Sequence, residues 1–179
     1  MTDAVAPLIV KWLTHDFASP IATVMTASEL LSDEPDAEIN GLVQDGAKRL
    51  GARLRLVRAA LAPGDAPVGG AALERLIREG ADGTPITWAR DAVDTDGRQS
   101  AIIAGAVLLL GDLRRSQPLV VSASGAHWPT PHALPDAVAA ALAGAAPVDG
   151  RSALAAMLAA AAARAGLRLS VAGDGLAWA

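Results

Sequence analysis

The chain has no cysteine and no tyrosine, one phenylalanine, and a single asparagine at Asn40. Without cysteine there is no disulfide framework and no thiolate metal site, which excludes small disulfide-stapled and zinc-ribbon folds. Four tryptophans make up the rest of the aromatic complement, and the formal net charge is −4. Stacking platforms and a basic face are therefore lacking, and nucleic acid is not an expected partner. The longest apolar runs, Ala101–Leu110 and Ala153–Ala163, fall short of the ~18 residues that span a bilayer. Met1–Pro7 lacks the basic start and apolar stretch of a signal peptide. The expectation is a cytoplasmic protein without membrane contact. An apolar fraction of 52% in 179 residues suffices for a proper core, in one domain or two small ones.

Apolar residues at Leu13, Phe17, Ile21, Val24, Ala27 and Leu31 recur every three or four positions and predict a helix from about Asp3 to Leu31. Ser32-Asp33-Glu34-Pro35-Asp36 supplies a break and a helix start. A second stripe, Ile39, Val43, Gly46, Leu50, Leu54, Val57 and Leu61, predicts a second helix. Lys48, Arg49, Arg53, Arg55 and Arg58 fall largely on its other faces. The two form a hairpin, which cannot enclose a core alone, so a second copy completing a four-helix bundle is expected.

Ala62–Gly70 has linker composition and places a boundary between residues 1–62 and 68–179. Beyond it the pattern alternates. Ala71–Glu79, Arg98–Ser116, Leu134–Leu142 and Gly150–Ala165 read as helices. Pro85–Arg90, Leu119–Ser122, Leu167–Ala172 and Leu176–Trp178 read as strands, the last two flanking a Gly173-Asp174-Gly175 turn. This is a small two-layer α/β unit, which makes the whole chain α+β. There is no internal repeat.

One stretch carries chemistry: His15-Asp16-Phe17-Ala18-Ser19-Pro20. His15 lies between the stripe positions Leu13 and Phe17, so it points off the seam toward solvent. Asp16 is about 100° further around the helix, where a bland role is a solvated surface acid. Ser19 stacks one turn beyond His15, its alternative being a back-bond to a carbonyl. Pro20 has no N–H, so the Asp16 carbonyl loses its helical partner and the helix should bend there.

With Thr14 and Glu29-Leu30-Leu31, this box and its hairpin resemble the phospho-acceptor region of two-component histidine kinases. The trailing α/β unit, Leu54–Arg58 and the run from Arg151 to Leu167 are similar to the ChpT-type histidine phosphotransferases, which join a dimeric kinase-like hairpin to a degenerate ATPase-like domain. The resemblance implies a phosphorelay intermediate. His15 would take a phosphoryl group from a receiver aspartate of a hybrid histidine kinase and pass it to response-regulator receivers. Asp16 would orient or deprotonate the imidazole. Ser19 would bond the phosphoryl group or an attacking water, and Lys11 would neutralise its charge. Arg49 or Arg53, unless they are only a solvated face, would dock a receiver's acidic pocket beside Pro20. The receivers supply magnesium, so no cofactor is expected.

The kinase nucleotide pocket needs an Asn on its first long helix and an Asp-x-Gly-x-Gly loop. The helix over Arg98–Ser116 offers Gln99, Ser100 and Asp112 instead, and neither Asp94–Gly97 nor Gly173–Gly175 fits the loop. ATP-dependent kinase activity is not expected. His127 and His132, four loop residues apart with no firm third ligand, are not a metal site. The competing reading is a kinase-like adaptor that binds or sequesters a receiver or a kinase without chemistry.

Overall fold

Helices α1 (Val5–Glu29) and α2 (Ala37–Leu61) form the hairpin of the computed structural model, which describes residues 5–30 and 37–179. Val24 meets Gly46 and Asp16 meets Arg53, a descending register that makes the pair antiparallel. Leu31 and the expected break at Ser32–Asp36 lie outside the described residues.

The rest of the chain runs α3 (Gly70–Gly80), β1 (Ile86–Ala89), α4 (Gly97–Leu113), β2 (Leu119–Ser122), β3 (Gly125–His127), α5 (Asp136–Leu142), α6 (Gly150–Arg164), β4 (Leu169–Ala172) and β5 (Gly175–Trp178). The sheet order is β1-β2-β3-β5-β4. β1 and β2 are parallel and joined through α4, and the remaining pairs are antiparallel. The central strand β3 is an addition to the sequence reading. Gly-Ala-His has no alternation to betray it, and only its pairing on both edges makes it a strand. Gly175 is needed opposite it, because a Cβ there would sit 2.2 Å from the Ala126 carbonyl oxygen.

Helix α4 explains the long apolar run. Every residue from Ser100 to Leu110 is buried, since the sheet covers one side of the helix and α2 lies along another. A helix apolar all round is stable only when covered all round. Asp96 caps its start by accepting the Arg98 N–H at 2.8 Å. It ends at Leu113, earlier than the expected Ser116, which adopts a left-handed φ of 64° as the chain turns into β2.

The hairpin and the α/β unit share one core: Ile9, Trp12, Leu56, Val57 and Ala60 pack with Leu73, Ile77, Ile103, Val107 and Leu154. This corrects the expected stripes in part. On α2 the buried residues are Ala52, Leu56, Val57 and Ala60, of which the stripe named Val57, whereas Leu54 is 58% exposed; on α1, Ile9 and Trp12 are buried along with the expected Ala27, and Ile21 is 45% exposed. The apolar pattern of each helix contains two faces, one turned to α4 and α6 and one left uncovered.

Leu56, with no exposed surface, should lose roughly 2–5 kcal/mol of stability on substitution to alanine, and Leu54→Ala much less. Urea unfolding of the two variants checks the assignment of faces.

Candidate phosphotransfer site

Lys11, His15 and Ser19 are four residues apart on α1, stand on one face of the helix and are all exposed. No hydrogen bond or ion pair among the described residues ties the imidazole. The Thr14 and Thr23 hydroxyls bond back to the carbonyls of Val10 at 2.8 Å and Ser19 at 3.0 Å. Among the described residues the Ser19 hydroxyl makes no such bond, and Ser19 lines a cleft beside Pro20 and Arg49. Pro20 lies inside α1, which continues past it to Glu29.

Asp16 departs from the surface-acid alternative. Its side chain is 7% exposed, and both carboxylate oxygens are engaged by Arg53, which donates from Nε at 2.9 Å and from Nη2 at 3.3 Å. The third arm of Arg53 donates from Nη1 to the Gly80 carbonyl at 3.3 Å. Arg53 is therefore corrected from an outward docking residue to an inward clamp between α1, α2 and the end of α3. Arg49, one turn earlier, is exposed. It lines a cleft of about 220 Å³ with Ser19, Pro20, Thr23, Gly46 and Leu50.

The acid also has a partner from beyond the hairpin. Arg115, just past α4, stands 3.6 Å from Asp16 and 3.3 Å from Asp112. Asp112 in turn accepts from Arg151 Nε at 2.9 Å, and its backbone carbonyl accepts from Arg151 Nη2 at 3.1 Å. The result is an alternating chain, Arg53–Asp16–Arg115–Asp112–Arg151, crossing from the hairpin to α4 and α6. Burial would raise the Asp112 carboxyl, but the hydrogen bonds and charges of Arg151 and Arg115 outweigh it and hold the group below its ordinary value. The Asp149 carboxyl is also held low, chiefly by the Ser152 backbone N–H that it caps at the start of α6. Sequence reasoning did not find Arg115 or Arg151. The signal was Asp112, an acid near the end of an otherwise apolar helix, which needs a cationic partner when buried.

His127 and His132 do not converge. His127 pairs on β3 with Val120 and Gly175, and His132 meets the Trp128 ring edge-on at 5.5 Å.

The fold is shared with a solved bacterial phosphotransferase, at 19% identity and a TM-score of 0.72, over 99% of this chain and 96% of that one. A blue-light-activated histidine kinase of Erythrobacter litoralis aligns at 15% identity and a TM-score of 0.44, over 75% of this chain and 52% of that one. No protein-family model matches the sequence, and no curated protein does. The chain thus has the fold of that phosphotransferase, a long helical hairpin followed by a small α/β sandwich. No helix among the described residues is long and apolar enough to cross a membrane.

Arg53→Gln leaves the buried Asp16 with only the longer contact to Arg115, and should destabilise the chain by about 3 kcal/mol, measured by denaturant unfolding. Because the Asp112 and Asp149 carboxyls are depressed in the folded state, their stabilisation is present above the unfolded value near pH 4 and is lost as pH falls through the folded values. Thermal unfolding from pH 7 to 2 should show that loss, with a shallower acid limb in Asp112→Asn.

Proposed function

We propose that the protein is a histidine phosphotransferase of a phosphorelay, with His15 as the covalent carrier. The observation that carries this reading is an exposed, unbonded imidazole sharing one helix face with Lys11 and Ser19, on the hairpin of a phosphotransferase fold. In the forward step, His15 Nε2 attacks the phosphorus of a receiver's aspartyl phosphate. The N–P bond forms as the acyl O–P bond breaks, the aspartate leaves as a carboxylate, and the ring proton on Nδ1 passes to solvent. The second transfer is the reverse, onto the aspartate of another receiver. The chain's contribution is to hold a nucleophile in line with phosphorus, while magnesium comes with the receiver.

Lys11 and Arg49 face the solvent side of the site, where they meet the phosphoryl group and the acidic pocket of a receiver. Ser19 is placed to bond the phosphoryl oxygens or a water. ATP is not the donor in this reading. The acid on α4, the helix that carries the metal-holding Asn in kinases, is engaged by Arg151 and Arg115. Exposed apolar side chains on both hairpin helices, with Ile21 45%, Met25 56%, Leu42 60% and Leu54 58% exposed, support a homodimer built through the hairpin.

Incubated with a phosphorylated receiver domain of a hybrid kinase, the protein should take label that survives alkali and is lost in acid, as a phosphoramidate does and an acyl phosphate does not. Mg-ATP should give no label. His15→Ala should abolish labelling with the fold intact, since an exposed position contributes little packing. His127→Ala and His132→Ala should leave it unchanged. Persisting label on His15→Ala would replace this reading with the adaptor one.

Light scattering at micromolar concentration should report twice the monomer mass. Leu54→Glu should return a folded monomer, because the charge would be buried only between copies.

A further inference from the structure

A phosphoryl group on His15 brings a charge of about −2 at neutral pH next to a residue, Asp16, whose carboxylate is buried against the Arg53 guanidinium. Like charges at that spacing repel, and the repulsion grows where water is excluded. Lys11 and Arg49 meet the phosphoryl group from the solvent side, while on the inner side Arg53 pairs with the acid. The structure adds a second guanidinium from outside the hairpin. Arg115 stands 3.6 Å from Asp16 with its side chain 66% exposed. Its other acid, Asp112, is already matched by Arg151 at 2.9 Å. Three guanidiniums and two carboxylates make up this paired chain, a third carboxylate, Asp82, lines the same cavity as Asp16 and Arg115, and Arg115 is the exposed guanidinium beside Asp16.

We propose that Arg115 is a charge-compensating residue of the phosphotransfer site, supplied by the α/β unit, which with Arg53 offsets Asp16 so that His15 holds a phosphoryl dianion beside a buried carboxylate. The proposal rests on the reading of His15 as the phosphoryl carrier and gives the α/β unit a part in it. It also sets apart the two arginines that share Asp16. Arg53 is a buried clamp whose loss leaves the buried acid only its longer contact to Arg115. Removing Arg115 leaves Asp16 with Arg53 and Asp112 with Arg151, so the fold survives while the charge at the site changes.

The test uses the full chain and potassium phosphoramidate, which needs no partner protein. His15 Nε2 forms the N–P bond as the phosphoramidate P–N bond breaks, and ammonia leaves, taking up the imidazole proton as ammonium. The steady-state ratio of phosphorylated to unphosphorylated chain, read by intact mass, should fall about two- to fivefold in Arg115→Gln at low salt, the range of an exposed charge contact. Arg115→Lys, which keeps the charge and loses the fork, should stay near the native ratio. The native-to-Gln difference should shrink toward unity at 1 M salt, where the screening length is about 3 Å. Circular dichroism should show both variants folded. An unchanged ratio in Arg115→Gln, an equal fall in Arg115→Lys, or a difference indifferent to salt would overturn the proposal. Should Arg115→Gln not fold, the native chain decides, because a ratio independent of salt sinks the idea. If the native chain takes no phosphoryl group at all on His15, the failure is that of the carrier reading itself.

Discussion

The burial of α4 on both sides is the constraint on which the structure depends. The sheet supplies one cover and α2 the other, and neither the hairpin nor the sheet has a finished core without that helix. The hydrophobic effect is non-directional, so apolar contact alone would allow the hairpin to slide or rotate on α4. Specific shapes limit that freedom. Gly150 admits Trp12, since a Cβ there would come within 2.7 Å of the Trp12 Cβ, and Gly80 admits Leu56 in the same way at 2.5 Å. These close approaches set the hairpin's height against α3 and α6, and with it the level at which His15 stands.

At that level the packing gives way to charge. The pair between Asp16 and Arg53 is bidentate and nearly buried, and such pairs contribute more to a unique arrangement than to net stability. Its continuation through Arg115 to Asp112 and Arg151 joins the same elements that the apolar core joins. The residue beside the candidate nucleophile is thus tied to the α/β unit, while the nucleophile itself stays free in solvent.

Much of this was legible in the sequence where periodicity and composition speak. The hairpin, α3, α4, α5, α6 and four of the strands follow from spacing and turn residues, and the position of His15 between Leu13 and Phe17 turns it outward. Other features had no local signal. β3 is three residues long and exists through its partners. The choice between Leu54 and Leu56 as the buried leucine depends on where α4 lies, which no stripe on α2 alone encodes. Arg53 reads as one of several surface arginines, and only the distant Asp16 and Gly80 carbonyl turn it inward. Tertiary partners decide such positions, and a single helix's pattern lists candidates without ranking them.

The shared core also bears on how the chain moves. A hinge between hairpin and sheet would have to pull Trp12, Leu56 and Val57 off Ile77, Val107 and Leu154 and expose all of them to water, at about 25 cal/mol for each Å². Motion of that size belongs to partial unfolding, not to thermal swinging about a linker. The described residues therefore move as one body. On the proposed carrier reading, a swing of the α/β unit against the hairpin does not bring a group to His15, and the speed of the site would be set by how its phosphoryl donor arrives and how long it stays.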